Sequence, residues 1–462
     1  MTGEGPMAIG YLLFTFCPLI CLFCKTKQLL LEYLLFIVYL VAFSWLVTRT
    51  RFFKRSGLNN DQLVILFLAK VIAGIFYGWI GIYYGGYAEM VDTWGYHYQS
   101  LEELRLLGSH PHEYLTNIFP WNRSDTRMSE FLGSDNSYWN DLKSLVFIKL
   151  LSIFNIFSLG NYYVNVIFYS YITLFGPIAL YRVFKEVFTG AKMPLLLGLI
   201  FVPSFLYWAS GIHKEGLLFL AIGLIIYHVY FAMKQNSWTA GHVSGILLGL
   251  LIIFLLRNFL LVLIAPALLA WLLANRWPEK KLACFTAVYG IGSILFFSLR
   301  YIHPRLDFPQ AVVEKQRAFL LLKGTSSIPI SELKPTVLSF IINTPQAITL
   351  STLRPYPADI HHFFSMAAAV ETLLLLLLLA ICLVWRKKDI STDKSVVYFC
   401  LFFAISLLIT IGFSVNNLGA IVRYRSIIIP LVVPVMIAYT DWRRVPSPAF
   451  FNIKKINNSS KY

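Results

Sequence analysis

Apolar residues run along this chain in long blocks rather than in alternation with polar ones. Blocks near 7–24, 29–47, 62–85, 161–183, 193–209, 215–233, 240–256, 258–274, 283–299, 363–384, 395–413 and 426–440 approach or exceed the roughly 17 to 25 residues that a helix needs to cross the hydrocarbon core of a bilayer. The pattern predicts an all-α polytopic membrane protein with about twelve transmembrane helices, including a short pair around Arg257. A helical bundle is favoured over a barrel, whose strands would alternate apolar and polar positions.

Two long segments, about 86–160 and about 300–362, interrupt the blocks. In the first, EMVDTWGYHYQSLEELRLLG predicts a surface helix that Asp92 caps and Gly108 ends, with Leu101 and Leu104 on its apolar side. Trp121, Tyr138 and Trp139 come next among polar residues, as amphipathic rings do at headgroup level. In the second, PQAVVEKQRAFLLLKG predicts a short amphipathic helix. Prolines then divide ISELKPTVLSFIINTPQAITLSTLRPYP into pieces too short to span, which read as interfacial or re-entrant helices lining a cavity.

Composition agrees with this pattern, since 58% of the residues are hydrophobic and only 13% charged, a balance that a water-soluble fold could not bury. No internal repeat or linker marks a second domain. The expected organisation is one integral-membrane domain over 1–445 and a short basic tail over 446–462.

A formal charge of +16 would point to nucleic acid in a soluble protein, but here the basic residues first have to be sorted by side. Short loops dense in Lys and Arg (Arg49, Arg51, Lys54 and Arg55; Arg386, Lys387 and Lys388; Arg443 and Arg444) place both termini in the cytoplasm. Lys25 and Lys27 fall on the opposite side and are outvoted. No nucleic-acid partner is inferred. The first block lacks a basic n-region and a small-residue cleavage site, so it is expected to stay attached as a span rather than act as a signal peptide. All six cysteines lie in or at the edges of spans, which leaves none for a disulfide in the outer loops; Cys17, Cys21 and Cys24 share a helical face without a His or carboxylate at ligand spacing.

With this orientation, seven of the nine histidines (His97, His110, His112, His213, His303, His361 and His362) fall on outer loops with the carboxylates Glu89, Asp92, Asp141, Glu215, Glu314 and Asp359. Long loops collect polar residues in any protein. Three groups stand out all the same. His213, Lys214 and Glu215 occupy a tight outer turn, GIHKEG, between two apolar blocks, either as the floor of a site or as an interfacial turn. Asp92, with Glu89 before it and Tyr96 and His97 after it, suits either a general base or a helix cap. Arg257, Arg354, Arg423 and Arg425 stand beside apolar runs, where guanidinium is costly and well matched to phosphate; interfacial anchoring or pairing with Glu215 or Asp359 would also account for them. Within spans, Glu32 and Lys70 are expected to pair or to stabilise the bundle.

The chain has no phosphate-cradling Gly-rich loop, Walker lysine, HExxH or GxSxG, which removes support for nucleotide hydrolysis, zinc proteolysis and serine hydrolase chemistry. Nor is there a cytoplasmic segment large enough to bind a nucleotide sugar. The stretches VDTWGYHY, SGIHKEG, RNFLLVLIAP and VRYRSIIIP resemble those of bacterial polytopic enzymes of surface-glycan assembly: GT-C type glycosyltransferases and EpsG-like and O-antigen-polymerase-like proteins.

The resemblance implies an enzyme in the bacterial inner membrane with its site facing outward. The enzyme would transfer sugar from a polyprenyl-phosphate-linked donor to a glycan or lipid acceptor, with membrane lipids around it. By the same resemblance Asp92 would be the catalytic base with Glu89 as its understudy, and Arg257, Arg354, Arg423 or Arg425 would engage the phosphate. His213 and Lys214 are expected to support that phosphate, with Glu215 beside them, and His97 to orient Asp92 or the acceptor. Asp92 follows the third span, whereas the acidic loop of GT-C enzymes follows the first. No cofactor is expected, although a divalent ion at Asp92 and Glu89 would be compatible with the residues. A transporter or flippase for a lipid-linked or anionic substrate is the alternative, and a non-catalytic scaffold a third.

Overall fold

In a computed structural model, which describes residues 30–83, 92–119, 138–188, 192–322, 326–387 and 393–446, the chain is helical, and the described residues contain no β-strand beyond isolated bridges. Nine helices among the described residues are long and apolar enough to cross a membrane, or eleven spans if each of two bent pairs counts as one. These are the features of a multi-pass membrane protein. The eleven fall on eleven of the twelve expected blocks; the block at 7–24 lies outside the described residues.

The helices are α1 (Leu30–Arg49), α2 (Arg51–Lys54), α3 (Asn60–Tyr83), α4 (Asp92–Ser109), α5 (Pro111–Thr116), α6 (Tyr138–Ser158) and α7 (Tyr162–Val187). After these come α8 (Lys192–Ile200), α9 (Pro203–Ser210), α10 (Lys214–Lys234), α11 (Ala240–Arg257), α12 (Phe259–Arg276), α13 (Lys281–Ser298) and α14 (Phe308–Leu321). The chain closes with α15 (Val337–Thr352), α16 (Phe363–Val384), α17 (Lys394–Ser414), α18 (Leu418–Arg425) and α19 (Ile429–Tyr439).

The centre of the bundle is the pair α7 and α10, most of whose residues are buried, whereas α1, α13 and α16 bury few of theirs. Small residues let the central pair approach closely. A Cβ on Gly223 would stand 2.5 Å from the Gly176 carbonyl oxygen, and one on Gly176 would stand 2.7 Å from the Leu220 Cα. Because these obstacles are backbone, no rotamer change relieves them. Gly223→Val is therefore expected to cost about 1–3 kcal/mol or more by forcing the two helices apart, read as a lowered thermal unfolding midpoint in detergent.

Both bent pairs break where the backbone loses a donor. The α8–α9 pair turns by 58° just before Pro203, and the α18–α19 pair by 61° just before Pro430. Helix α16 supports both breaks with adjacent side chains. Glu371 accepts a hydrogen bond from the Ser204 amide (2.6 Å), one of the donors left over at the start of α9. Thr372 accepts from Arg425 (2.5 Å), whose guanidinium also donates to the Arg354 carbonyl (2.7 Å).

The two interrupting segments differ in part from expectation. The amphipathic helix of the second appears as α14, pinned by buried Gln316, which donates to the Phe413 carbonyl (3.0 Å) and accepts from the Leu333 amide (2.8 Å). The next stretch is, as expected, too short to span and lines a cavity: α15 has 16 residues between Pro335 and Pro355, but Pro345 does not divide it, and the Thr344 and Ser351 hydroxyls bond back to carbonyls in its turns. In the first segment α4 forms as predicted, but residues Tyr138–Ser158 are a further helix, α6, packed on α4. Trp121 and the side chains of Tyr138 and Trp139 lie outside the described residues. Glu32 and Lys70 do not pair with each other: Glu32 accepts from Asn161, while buried Lys70 donates to the Ala209 carbonyl and the Ser210 hydroxyl. Lys70 thereby ties α3 to the end of α9.

Candidate functional site

Asp92 opens α4, and its neighbours fix where it points. Trp94 donates through its indole to the Gly78 carbonyl of α3 (2.9 Å) and stacks on Tyr162 of α7 with ring centres 4.1 Å apart; Thr93 bonds the Tyr162 hydroxyl (2.7 Å). Locked by these contacts, the Asp92 carboxylate faces the turn before α10.

That turn is Gly211–Ile212–His213. A side chain at Gly211 would run into Tyr77, so only glycine lets α3 lie this close. Buried His213 stands at the N-cap of α10, and its carbonyl is held by the Tyr169 hydroxyl. Its ring lies between two carboxylates: Nε2 is 3.2 Å from Asp92 Oδ2, and Nδ1 contacts Glu215. Glu215 sits in the first turn of α10, where the helix dipole favours an anion, and accepts from Arg257 (2.6 Å). Arg257 ends α11, where the dipole favours a cation.

Arg423, from α18, closes the cluster. Its guanidinium donates to Asp92 (2.6 Å), lies 3.4 Å from His213 Nε2 and 3.7 Å from Glu215, and stands over the rings of Tyr424 and Trp208. The sequence-predicted residues Asp92, His213, Glu215, Arg257 and Arg423 therefore form one network. The alternative expectation for Arg257, pairing with Glu215, is also met in it.

The network borders a cavity of about 1030 Å³. At its polar end stand Asp92, Tyr96, Lys143, Lys214, Lys315 and the two arginines. Lys214 bonds the Ser144 hydroxyl (3.1 Å) and lies over Tyr96. Five cationic side chains thus face two carboxylates, Asp92 and Glu215, among the described residues. The rest of the lining is largely apolar and comes mainly from α12, α13, α14, α15 and α17.

The charges in the cluster set its protonation. The hydrogen bond from His213, helped by Arg423, holds the Asp92 carboxyl well below the usual carboxylate range despite the burial that opposes it. Burial pushes the His213 imidazole down to about 4, although Asp92 pulls the other way. Burial, together with Lys315 and Arg257, pushes the Lys143 ammonium down to about 8. At neutral pH Asp92 is an anion with its side chain half-exposed to the cavity, which is the state a proton acceptor needs. His213, hydrogen-bonded between Asp92 and Glu215, can share a proton that arrives on Asp92.

The same shifts give a pH dependence. A histidine in the unfolded chain takes its proton near pH 6.5, but His213 in the fold does so only near 4. Stability from this site is complete above about pH 6.5 and is lost as pH falls towards 4; the depressed Asp92 adds to the loss at still lower pH. Thermal unfolding in detergent at pH 7.5, 6 and 4.5 is expected to show this decline, and His213→Asn to flatten its upper part.

Three expected site residues lie elsewhere. His97 is five positions beyond Asp92, about 140° around the helix, and its buried ring packs edge-on against Trp94 and Tyr162, so it does not orient Asp92. Arg425 is two positions beyond Arg423, on the far side of α18, where it holds Arg354 and Thr372. Arg354 pairs with Asp359 (3.0 Å), the other pairing foreseen for these arginines. None of the three lines the cavity. Glu89, and with it the divalent site expected at Asp92 and Glu89, lies outside the described residues.

Lys143, Ser144, Lys315 and Tyr424 were not singled out in the sequence. Lys143 and Lys315 sit in the two interrupting segments, so the interest given there to Asp, His and Arg would have found them had it extended to Lys. Comparison with family models, curated proteins and solved structures finds no match to this chain.

Proposed function

We propose that this chain is an integral-membrane glycosyltransferase or polysaccharide polymerase that uses a polyprenyl-phosphate-linked sugar donor. The observation that carries the reading is the cavity itself. An ionised, cavity-facing Asp92 sits among the cationic side chains of Arg257, Arg423, Lys214 and Lys315 at one end, and an apolar lining continues from them into the bundle. A molecule that matches both ends carries an anionic headgroup on a long apolar chain.

In this reading Arg257 and Arg423 hold the donor phosphate, with Lys214, Lys143 and Lys315 close by. An acceptor hydroxyl attacks the anomeric carbon and gives its proton to Asp92. The bond from that carbon to the phosphate oxygen breaks, and the bonding pair leaves with the polyprenyl phosphate. The arginines stabilise the charge that grows on the leaving oxygen, a contribution worth about 3–4 kcal/mol for a well-placed donor. His213 and Glu215 share the proton that Asp92 accepts. An outward-facing site is part of this reading, supported by the positive-inside bias of the Lys- and Arg-rich loops at the opposite ends of the spans.

The test compares, by mass spectrometry, lipid-linked and surface glycans of cells lacking the protein with those of complemented cells. Loss of one sugar supports single-residue transfer, and loss of long chains with single repeats accumulating supports polymerisation. Unchanged glycans in the deletion strain overturn the reading, and glycan precursors trapped on the inner leaflet replace it with transport.

A further inference from the structure

The cavity does not end at the charged cluster. From the level of Ser414 its lining descends along α17 to Ile405, and along α13 from Leu299 to Tyr289, a drop of about 14 Å at 1.5 Å per residue. At the bottom α13 and α17 close on each other through aromatic rings: Phe285 and Tyr289 meet Phe402 with centres 5.3 and 5.0 Å apart. Above that contact, Gly292 and Leu295 on α13 and Ile405 and Ile409 on α17 line open space.

Leu295 and Ile405 are exposed, as is Ile341 of α15, which lines the cavity from above. A Cβ built on Gly292 meets nothing within 4 Å. Leu295, Ile405 and Ile341 line the cavity and no other helix among the described residues covers them, so the cavity is open along this seam rather than sealed. Here the opening faces the lipid, because α13 is among the spans that bury least of their surface.

We infer that the seam between α13 and α17 holds the isoprenoid chain of the same lipid phosphate whose headgroup lies at Arg257 and Arg423, and that the chain leaves for the bilayer past Gly292 and Ile405. The inference rests on the proposed headgroup site and adds a second, separable one. Continuity identifies the occupant: the apolar seam and the cationic end are one cavity, and a chain that enters sideways need never pass through water. Gly292 leaves the width for a branched chain at the level where a side chain would narrow the seam.

The experiment measures binding of two phosphates to the purified full-length protein by native mass spectrometry: a long-chain polyprenyl phosphate and geranyl phosphate, which has the same headgroup on a short tail. Wild type is expected to bind the long chain more tightly. Gly292→Trp is expected to weaken the long chain about tenfold or more, the cost of displacing a few methylenes, and to leave geranyl phosphate unchanged. Ile405→Trp, on the facing wall, repeats the test should Gly292→Trp fold poorly. Leu373→Trp, a lipid-facing change on α16, should affect neither ligand.

Full long-chain affinity in both seam variants would overturn the inference. Equal loss for both phosphates, or no preference of wild type for the long chain, would overturn it too while leaving the headgroup site standing. Binding of neither phosphate by wild type would remove the headgroup site, and the proposed function with it.

Discussion

Asp92→Asn is expected to abolish sugar transfer while leaving the protein in the membrane at normal abundance. The amide is nearly isosteric and can still accept from Arg423, so α4 should keep its place through Trp94 and Thr93, which anchor it independently of the carboxylate. What is lost is a proton acceptor. General-base assistance is typically worth about 10²- to 10⁴-fold, and here the missing negative charge also unbalances a cluster that is already rich in cations. The measurement is the glycan profile of complemented cells at matched protein levels, with transfer by purified protein as the direct readout. Wild-type profiles from the Asn variant would show that Asp92 serves only to hold Arg423 and His213.

Glu215→Gln is expected to damage both stability and activity, by a different route. Glu215 is fully buried and faces His213, Arg257 and, at 3.7 Å, Arg423. Removing one partner of a buried ion pair leaves the other charge without compensation, which costs about 3–5 kcal/mol. The thermal unfolding midpoint should fall sharply. Adding Arg257→Gln to Glu215→Gln removes the stranded charge as well, so the double variant should recover part of the lost stability. Transfer should stay lost in both: the single variant loses the carboxylate that positions Arg257 and His213, and the double variant loses Arg257 itself, which the proposed phosphate binding uses. An additive double variant would mean that the two side chains do not act as a pair.

The two predictions rest on different parts of the molecule. Asp92 is placed by side chains of α3 and α7, and Glu215 by its position in the first turn of α10. Both were legible as candidates because a carboxylate next to an apolar block is conspicuous on its own. His97 was conspicuous as a neighbour of Asp92, and it belongs to the packing of Trp94 and Tyr162. Arg423 and Arg425 looked alike within VRYRSIIIP, and helix geometry sends one into the cavity and the other to Arg354 and Thr372. Sequence proximity to a site residue, within a helix, says little about direction at offsets of two or five positions.

By itself the sequence determined that lipid is the solvent and where the spans run, because hydrocarbon demands an unbroken apolar composition over some twenty consecutive residues, a property each stretch carries alone. It also pointed to most histidines and many carboxylates gathering at the span ends opposite the Lys- and Arg-rich loops. Only the tertiary structure decided which of them meet. The contact between Asp92 and Arg423 joins positions 331 residues apart, that between Asp92 and His213 positions 121 apart, and that between Glu215 and Arg257 positions 42 apart. Such contacts depend on helix rotation and on close approaches like those at Gly211 and Gly223, which no local pattern of apolar residues encodes. The cavity has the same origin: α12, α13, α15 and α17 are each ordinary apolar helices, and the seam exists only where their packing leaves a gap.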